Sequence, residues 1–282
     1  MERKVKIVAD STCDLNPNLL ERYGIEVIPL NVNLGDKSCL DGVDVHTPDL
    51  FEYYKQTGKL PTTSAPTPAY YEDFYRKWTE EGWEVVHFSI SSELTVTPNI
   101  AKMAAEKFDN IYPVDSRNVS SGMGILAIKA AEMRDEGLSA KEIRERVLTM
   151  TGKVRTAVVI STLLYMYKGG RCTGIQAMGA NLLNLKPCIE VKDGRMAVTK
   201  KYRGSLETTL CQMAEDKLKG AEDLDLSRLM IIQYDAGEKA ISAVTAKIKE
   251  CQNFEEIHVN DCGCSVSVHC GPGTVGIIYM VK

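Results

Sequence analysis

Four times in its first hundred residues the chain sets a short polar side chain directly before proline: Asn16-Pro17, Thr47-Pro48, Thr67-Pro68 and Thr97-Pro98. Each pair reads as a helix start. Threonine or asparagine caps the exposed N–H groups of a first turn, and proline suits the first helical position because its missing N–H is not needed there. Around these starts run apolar stretches at 5–9, 25–32, 83–90 and 111–114. Apolar strands alternating with helices predict an α/β domain with a mainly parallel sheet. Ligands of such sheets bind outside the carboxyl ends of the strands. Asp10-Ser11-Thr12 and Ser91-Ser92 fall at two such ends.

After residue 150 the pattern changes. A strand at 154–161 is followed by short helical pieces around 163–167 and 175–184. Asp193-Gly194 then separates the stretches 188–192 and 196–200, a hairpin signal because glycine tolerates positive φ. Helices at about 206–218 and 239–250 alternate with strands at 229–233 and 257–260, and a strand at 275–281 closes the chain. This predicts a second α/β domain with a mixed sheet. The expected boundary lies near Gly152, giving an N-terminal domain at 1–152 and a C-terminal one at 153–282.

The charge balance narrows the partners. A net charge of −4, with no local run of lysine and arginine, offers no attraction for nucleic acid or an anionic membrane. The basic N-terminus leads into an apolar run too short for a signal-peptide core, and no later segment reaches membrane-span length. A cytoplasmic chain without stable membrane insertion is expected. Nine cysteines, an odd number scattered over 282 residues, read as reduced and mostly buried rather than as a disulfide framework.

Four segments concentrate small hydroxyls, glycine and histidine: Pro61-Thr62-Thr63-Ser64-Ala65-Pro66, Ser91-Ser92-Glu93-Leu94-Thr95, Lys168-Gly169-Gly170-Arg171 and His269-Cys270-Gly271-Pro272-Gly273. Hydroxyls and backbone N–H groups suit a carboxylate or phosphate. Each segment alone equally fits a turn or a cap. The Lys168 segment reads either as a phosphate-positioning loop or as a helix end with its left-handed glycine. His269 reads as part of a glycine-rich loop, as a donor to an anion, a proton shuttle or a structural residue. The other histidines are less suggestive, with His87 inside an apolar strand.

Cys262, Cys264, His269 and Cys270 lie close together, but a lone Cys-x-Cys lacks the paired spacing of zinc sites, and no metal is expected. The sequence holds no Gly-x-Ser-x-Gly elbow, no P-loop, no dinucleotide Gly-x-Gly-x-x-Gly opening a helix and no His-Glu-x-x-His. A triad of Ser64 or Ser92 with His269 and Asp10 stays open at this point.

Seven stretches together carry a resemblance. They are Val8-Ala9-Asp10-Ser11-Thr12-Cys13-Asp14-Leu15, Pro61-Thr62-Thr63-Ser64, Ser91-Ser92-x-Leu94, Val114-Asp115-Ser116, Lys168-Gly169-Gly170-Arg171, Asn184-Leu185-Lys186-Pro187 with Asp193-Gly194, and His269-x-Gly271-Pro272-Gly273. In this order, and essentially end to end, they resemble the DegV family, whose fatty-acid-binding subunits serve bacterial fatty acid kinase. The resemblance implies two α/β domains with one long-chain fatty acid between them and the acyl chain in an apolar pocket of the C-terminal domain. It implies that Thr62, Thr63, Ser64, Ser91, Ser92, His269 and Gly271 hold the carboxylate. It also implies that a separate kinase subunit phosphorylates that carboxylate and docks near Arg203.

The chain would then be a lipid carrier with no catalytic residue, metal or cofactor of its own. Two departures stand out. The family's usual Leu-Ser-Gly-Thr-Tyr-Gln is here Leu94-Thr95-Val96-Thr97-Pro98-Asn99, and Ala65 stands where glutamine is common. Val96 for glycine adds bulk and stiffens the backbone near the expected head group. The competing readings are a small-molecule phosphotransferase or hydrolase using Ser64, Ser92 and His269, and a pure interaction module.

Overall fold

A computed structural model describes residues 4–173 and 185–282. The chain forms two compact units, one of Met1–Gly152 with Gly263–Ser265, the other of Lys153–Cys262 with Val266–Lys282.

In chain order the first unit contains β1 (Lys4–Asp10), α1 (Pro17–Tyr23), β2 (Ile25–Ile28), β3 (Asn31–Leu34), β4 (Lys37–Leu40), α2 (Thr47–Thr57) and β5 (Thr62–Ser64). It continues through α3 (Pro68–Thr79), β6 (Trp83–Ser89), α4 (Thr97–Ala105), β7 (Ile111–Asp115), α5 (Ser121–Asp135) and α6 (Ala140–Met150). Strands β2-β1-β6-β7 form an all-parallel sheet. One core joins Val8 and Val85 of that sheet to Tyr71 and Tyr75 of α3 and Ala101 and Ala104 of α4.

The four proline-marked helices form, by two different capping devices. Asn16 and Thr67 accept the N–H of Leu19 at 3.0 Å and of Tyr70 at 3.3 Å. At α2 and α4 the threonine is instead the first helical residue. There Asp49 takes the N–H of His46 at 2.8 Å, and Thr95 takes that of Thr97 at 3.3 Å.

The stretch 25–32, expected as one strand, divides at Pro29. Proline cannot donate to a ladder. Beyond it β3 joins β4 and β5 in a separate antiparallel sheet of order β4-β3-β5. The Leu30 N–H at the break goes to Ser11 Oγ at 3.1 Å.

The second unit contains β8 (Val154–Val159), α7 (Leu164–Gly169), β9 (Cys172–Thr173), β10 (Leu185–Lys192), β11 (Arg195–Arg203), α8 (Leu206–Leu218), β12 (Leu224–Tyr234), α9 (Glu238–Cys251) and β13 (Glu256–Asp261). Helix α10 (Cys264–Cys270) and β14 (Thr274–Val281) follow. The sheet order β13-β12-β14-β8-β10-β11-β9 mixes parallel and antiparallel pairs. Helices α8 and α9 bury Leu210, Met213, Val244 and Ile248 against Leu229, Ile231 and Ile277. The Asp193-Gly194 turn has φ of 51° and 82°, the paired positive values of a tight hairpin. The helical piece expected at 175–184 lies outside the described residues.

Residues Gly263–Ser265 are held by carboxylates of the first unit. Asp14 accepts the Gly263 N–H at 2.9 Å, and Asp41 accepts those of Cys264 and Ser265 at 2.9 and 3.0 Å. Both carboxylates are buried. Three otherwise unpaired N–H groups at the start of α10 are satisfied in this way.

Candidate functional site

At the carboxyl end of β1, Asp10 is fully buried. Tyr71 O–H donates to its Oδ1 at 2.8 Å, and His87 Nε2–H donates to the same oxygen at 3.1 Å. His87 Nδ1 pairs with the Tyr75 hydroxyl at 2.6 Å. Burial first, and then the Asp10 charge, hold both tyrosine hydroxyls well above their ordinary range, so they serve as neutral donors. A carboxylate with no access to water needs such partners. Asp10 thus pairs with His87 of its own unit.

The double serine lies just beyond β6. Ser91 is buried, its N–H donates to Asn118 O at 2.9 Å, and its Oγ accepts the Glu93 N–H at 3.2 Å. Ser92 Oγ donates its proton to Asp115 Oδ2 at 2.5 Å and accepts from Arg117 Nη1 at 3.3 Å. Asp115 Oδ1 also takes the N–H of Ser92 and of Arg117, at 3.2 and 3.0 Å. Arg117 in turn pairs with Glu93 at 3.0 Å. Asp115 therefore organises the loop, and its place in Val114-Asp115-Ser116 was the sequence signal for it.

Thr62, Thr63 and Ser64, expected in a loop, form β5, because Asn33, Val32 and Asn31 of β3 offer a free ladder edge. Thr62 and Ser64 are exposed, and Ser64 Oγ accepts from Asn33 Nδ2 at 3.2 Å. Val96 is 59% exposed, so its extra bulk over glycine projects outward at the start of α4.

In the second unit His269 stands near the end of α10, not in the glycine-rich loop expected from its neighbours. Two valines, two serines and flanking glycines make weak helix formers. Here the helix is started by the distant carboxylates Asp14 and Asp41. The imidazole packs against the end of α7, with Nδ1 buried. Burial, and then the nearby Arg171 charge, push its pKa down from 6.5 to about 4. At neutral pH the ring is an uncharged donor and acceptor.

Lys168-Gly169-Gly170-Arg171 proves to be the helix end: Gly170 has φ 67°, and its N–H returns to Met166 O at 3.1 Å. Arg171 Nη1 donates to Gly169 O. Gly271, at φ 76°, closes onto the Tyr165 ring. Ser161 Oγ accepts from Lys186 at 3.4 Å and donates to Gly273 O at 2.8 Å.

The nine cysteines are free thiols. Burial pushes Cys13 and Cys264 up to about 12 and Cys172 and Cys188 to about 11, which suppresses the nucleophilic thiolate. Among the described residues no group of three or more His, Cys, Asp or Glu side chains is placed to hold a metal ion. No helix among them is long and apolar enough to cross a membrane.

A family model described as an uncharacterised protein of the DegV family matches residues 4–282. A DegV domain-containing protein of Clostridium acetobutylicum is 32% identical over 282 residues, covering 99% of each chain. Among solved structures, a fatty-acid-binding DegV family protein from Thermus thermophilus superposes with a TM-score of 0.87 at 29% identity, over 99% of this chain and 100% of that one. A Thermotoga maritima protein with a fatty acid binding function gives 0.84 at 26%, over 99% and 100%. A stearic acid-binding protein from Eubacterium ventriosum gives 0.83 at 25%, over 99% and 98%. These structural neighbours are proteins that bind fatty acids. With a family match running from the first described strand to the last residue, the chain belongs to the DegV family.

Proposed function

We propose that this chain binds one long-chain fatty acid and presents its carboxylate to a separate kinase subunit in the cytoplasm, catalysing no reaction itself. The observation that carries the reading is the likeness over 99% of the chain to structures of proteins that bind fatty acids. Thr62, Thr63, Ser64, Ser91, His269 and Gly271 are the groups assigned to the carboxylate. Ser92 already donates its proton to Asp115, so its part is to shape the loop. A neutral His269 contributes a hydrogen bond, not a charge. The residues after Gly152 are assigned to the acyl chain.

Each buried methylene is worth about 0.8 kcal/mol, so a tail of about fifteen carbons supplies on the order of 12 kcal/mol before ordering costs. A hydrogen bond to the charged head group adds only about 1.5–3 kcal/mol. Affinity therefore comes from the tail, and the polar groups select for an acid and orient it. Native mass spectrometry of the purified protein, followed by denaturing extraction, is expected to show one fatty acid per chain. A protein that is empty and stays empty after incubation with fatty acids sinks the reading. Turnover of ATP or of an ester by the chain alone would favour the enzyme instead.

Arg203, exposed at the end of β11, is assigned to docking of the kinase. Arg203→Glu is expected to leave fatty acid affinity within about twofold and to lower kinase-dependent phosphorylation at least tenfold, a loss of about 1.4 kcal/mol or more. Unchanged phosphorylation with the partner present removes that assignment.

A further inference from the structure

A methyl group built on Gly169 would lie 2.3 Å from His269 Nδ1 and 3.3 Å from both Cε1 and Cγ of the ring. Its three nearest neighbours all belong to that imidazole. Gly169 is the last residue of α7, where alanine is the better helix former. Glycine is therefore not required there by the left-handed backbone that marks its neighbour. Gly170, at φ 67°, is the contrasting case: its Cβ would meet nothing within 4 Å. One glycine ends the helix and the other makes room for the ring.

We propose that Gly169 is a positioning residue for His269, its missing side chain being the place where the Nδ1 edge of the imidazole is seated. A neutral imidazole carries one proton, and which nitrogen holds it decides what the ring can do. With Nδ1 turned in against the end of α7, that edge is closed to a ligand, and a hydrogen bond from the ring to a carboxylate has to come from Nε2. The ligand part of this inference rests on the fatty acid reading; the seating of the ring does not. The depressed pKa of His269 is consistent with a ring enclosed on its Nδ1 side.

The test compares Gly169→Ala, Gly170→Ala, His269→Ala and the double variant Gly169→Ala/His269→Ala. In the ligand-free protein, NMR titration of the His269 ring is expected to show a rise of at least one pH unit in Gly169→Ala and no change in Gly170→Ala. Palmitate affinity is expected to fall tenfold or more in Gly169→Ala, with affinity for the matching sixteen-carbon alcohol changed less than twofold. The double variant is expected to bind palmitate no worse than His269→Ala alone. Should Gly169→Ala fail to fold, the double variant is expected to fold, because removing the imidazole vacates the space that the methyl needs.

A wild-type ring titration in Gly169→Ala overturns the proposal, as does a double variant that remains unfolded. A wild-type protein that binds neither palmitate nor the alcohol removes the fatty acid reading, while the ring titration still decides the seating of His269.

Discussion

Gly271→Ala is expected to lower the unfolding free energy by about 2–5 kcal/mol, read as a drop in urea midpoint at unchanged slope. Two costs add. Gly271 sits at φ 76°, where an L side chain is strained by about 1–2 kcal/mol. The new methyl would also lie 2.2, 2.6 and 2.9 Å from three carbons of the buried Tyr165 ring. Forcing extra volume into a packed site costs about 1–3 kcal/mol more. Gly170→Ala separates the two terms, since it carries comparable strain at φ 67° with open space around it. Equal losses in the two variants would show that the Tyr165 contact yields without cost.

The second large effect is a dependence on pH that His269 confers. Its folded pKa of about 4 lies below the ordinary 6.5. Above pH 6.5 the ring is neutral in both states and nothing is gained or lost. As the pH falls from 6.5 the unfolded chain takes up a proton that the folded ring refuses, so stability declines. Near pH 4 the folded ring is protonated too, and the decline stops. The total is roughly 2–3 kcal/mol, the lower figure allowing for partial exposure of the ring to solvent. Subtracting the stability of His269→Asn at each pH removes the titration of every other group. A flat difference between pH 7 and pH 4 would mean that the ring is not enclosed.

The elements legible in the sequence were those set by local chemistry. Asn16 before Pro17 and glycine after Asp193 act within a few residues of themselves, and both features form where expected. The first unit's parallel sheet and the second's mixed sheet followed from the same alternation. What escaped depended on distant partners or lacked a period. Helix α5 is buried from Ser121 through Ile128, so it shows no polar face to reveal its turn. Helix α6 did carry a signal in its sequence, the capping box Ser139-x-x-Glu142.

The local geometry of the polar segments was not legible in the sequence. Ser92 looked like a ligand hydroxyl, yet the partner of its proton, Asp115, lies 23 positions away. Asp10 looked available to His269, yet β1 and β6 run side by side and place His87 against it. His269 was taken for a loop residue because the start of its helix is capped from the other end of the chain.

That last arrangement bears on how the protein is made. Asp41 and Ser265, joined by a hydrogen bond, are 224 positions apart. A ribosome adding about 5–20 residues per second leaves roughly 10–45 s between the two. Through that interval the nascent first unit holds Asp14 and Asp41 without the Gly263, Cys264 and Ser265 N–H groups that donate to them in the finished chain. A chain cut anywhere before Gly263 would leave Asp14 and Asp41 in the same condition permanently, so a nonsense or frameshift lesion late in the second unit also damages the first.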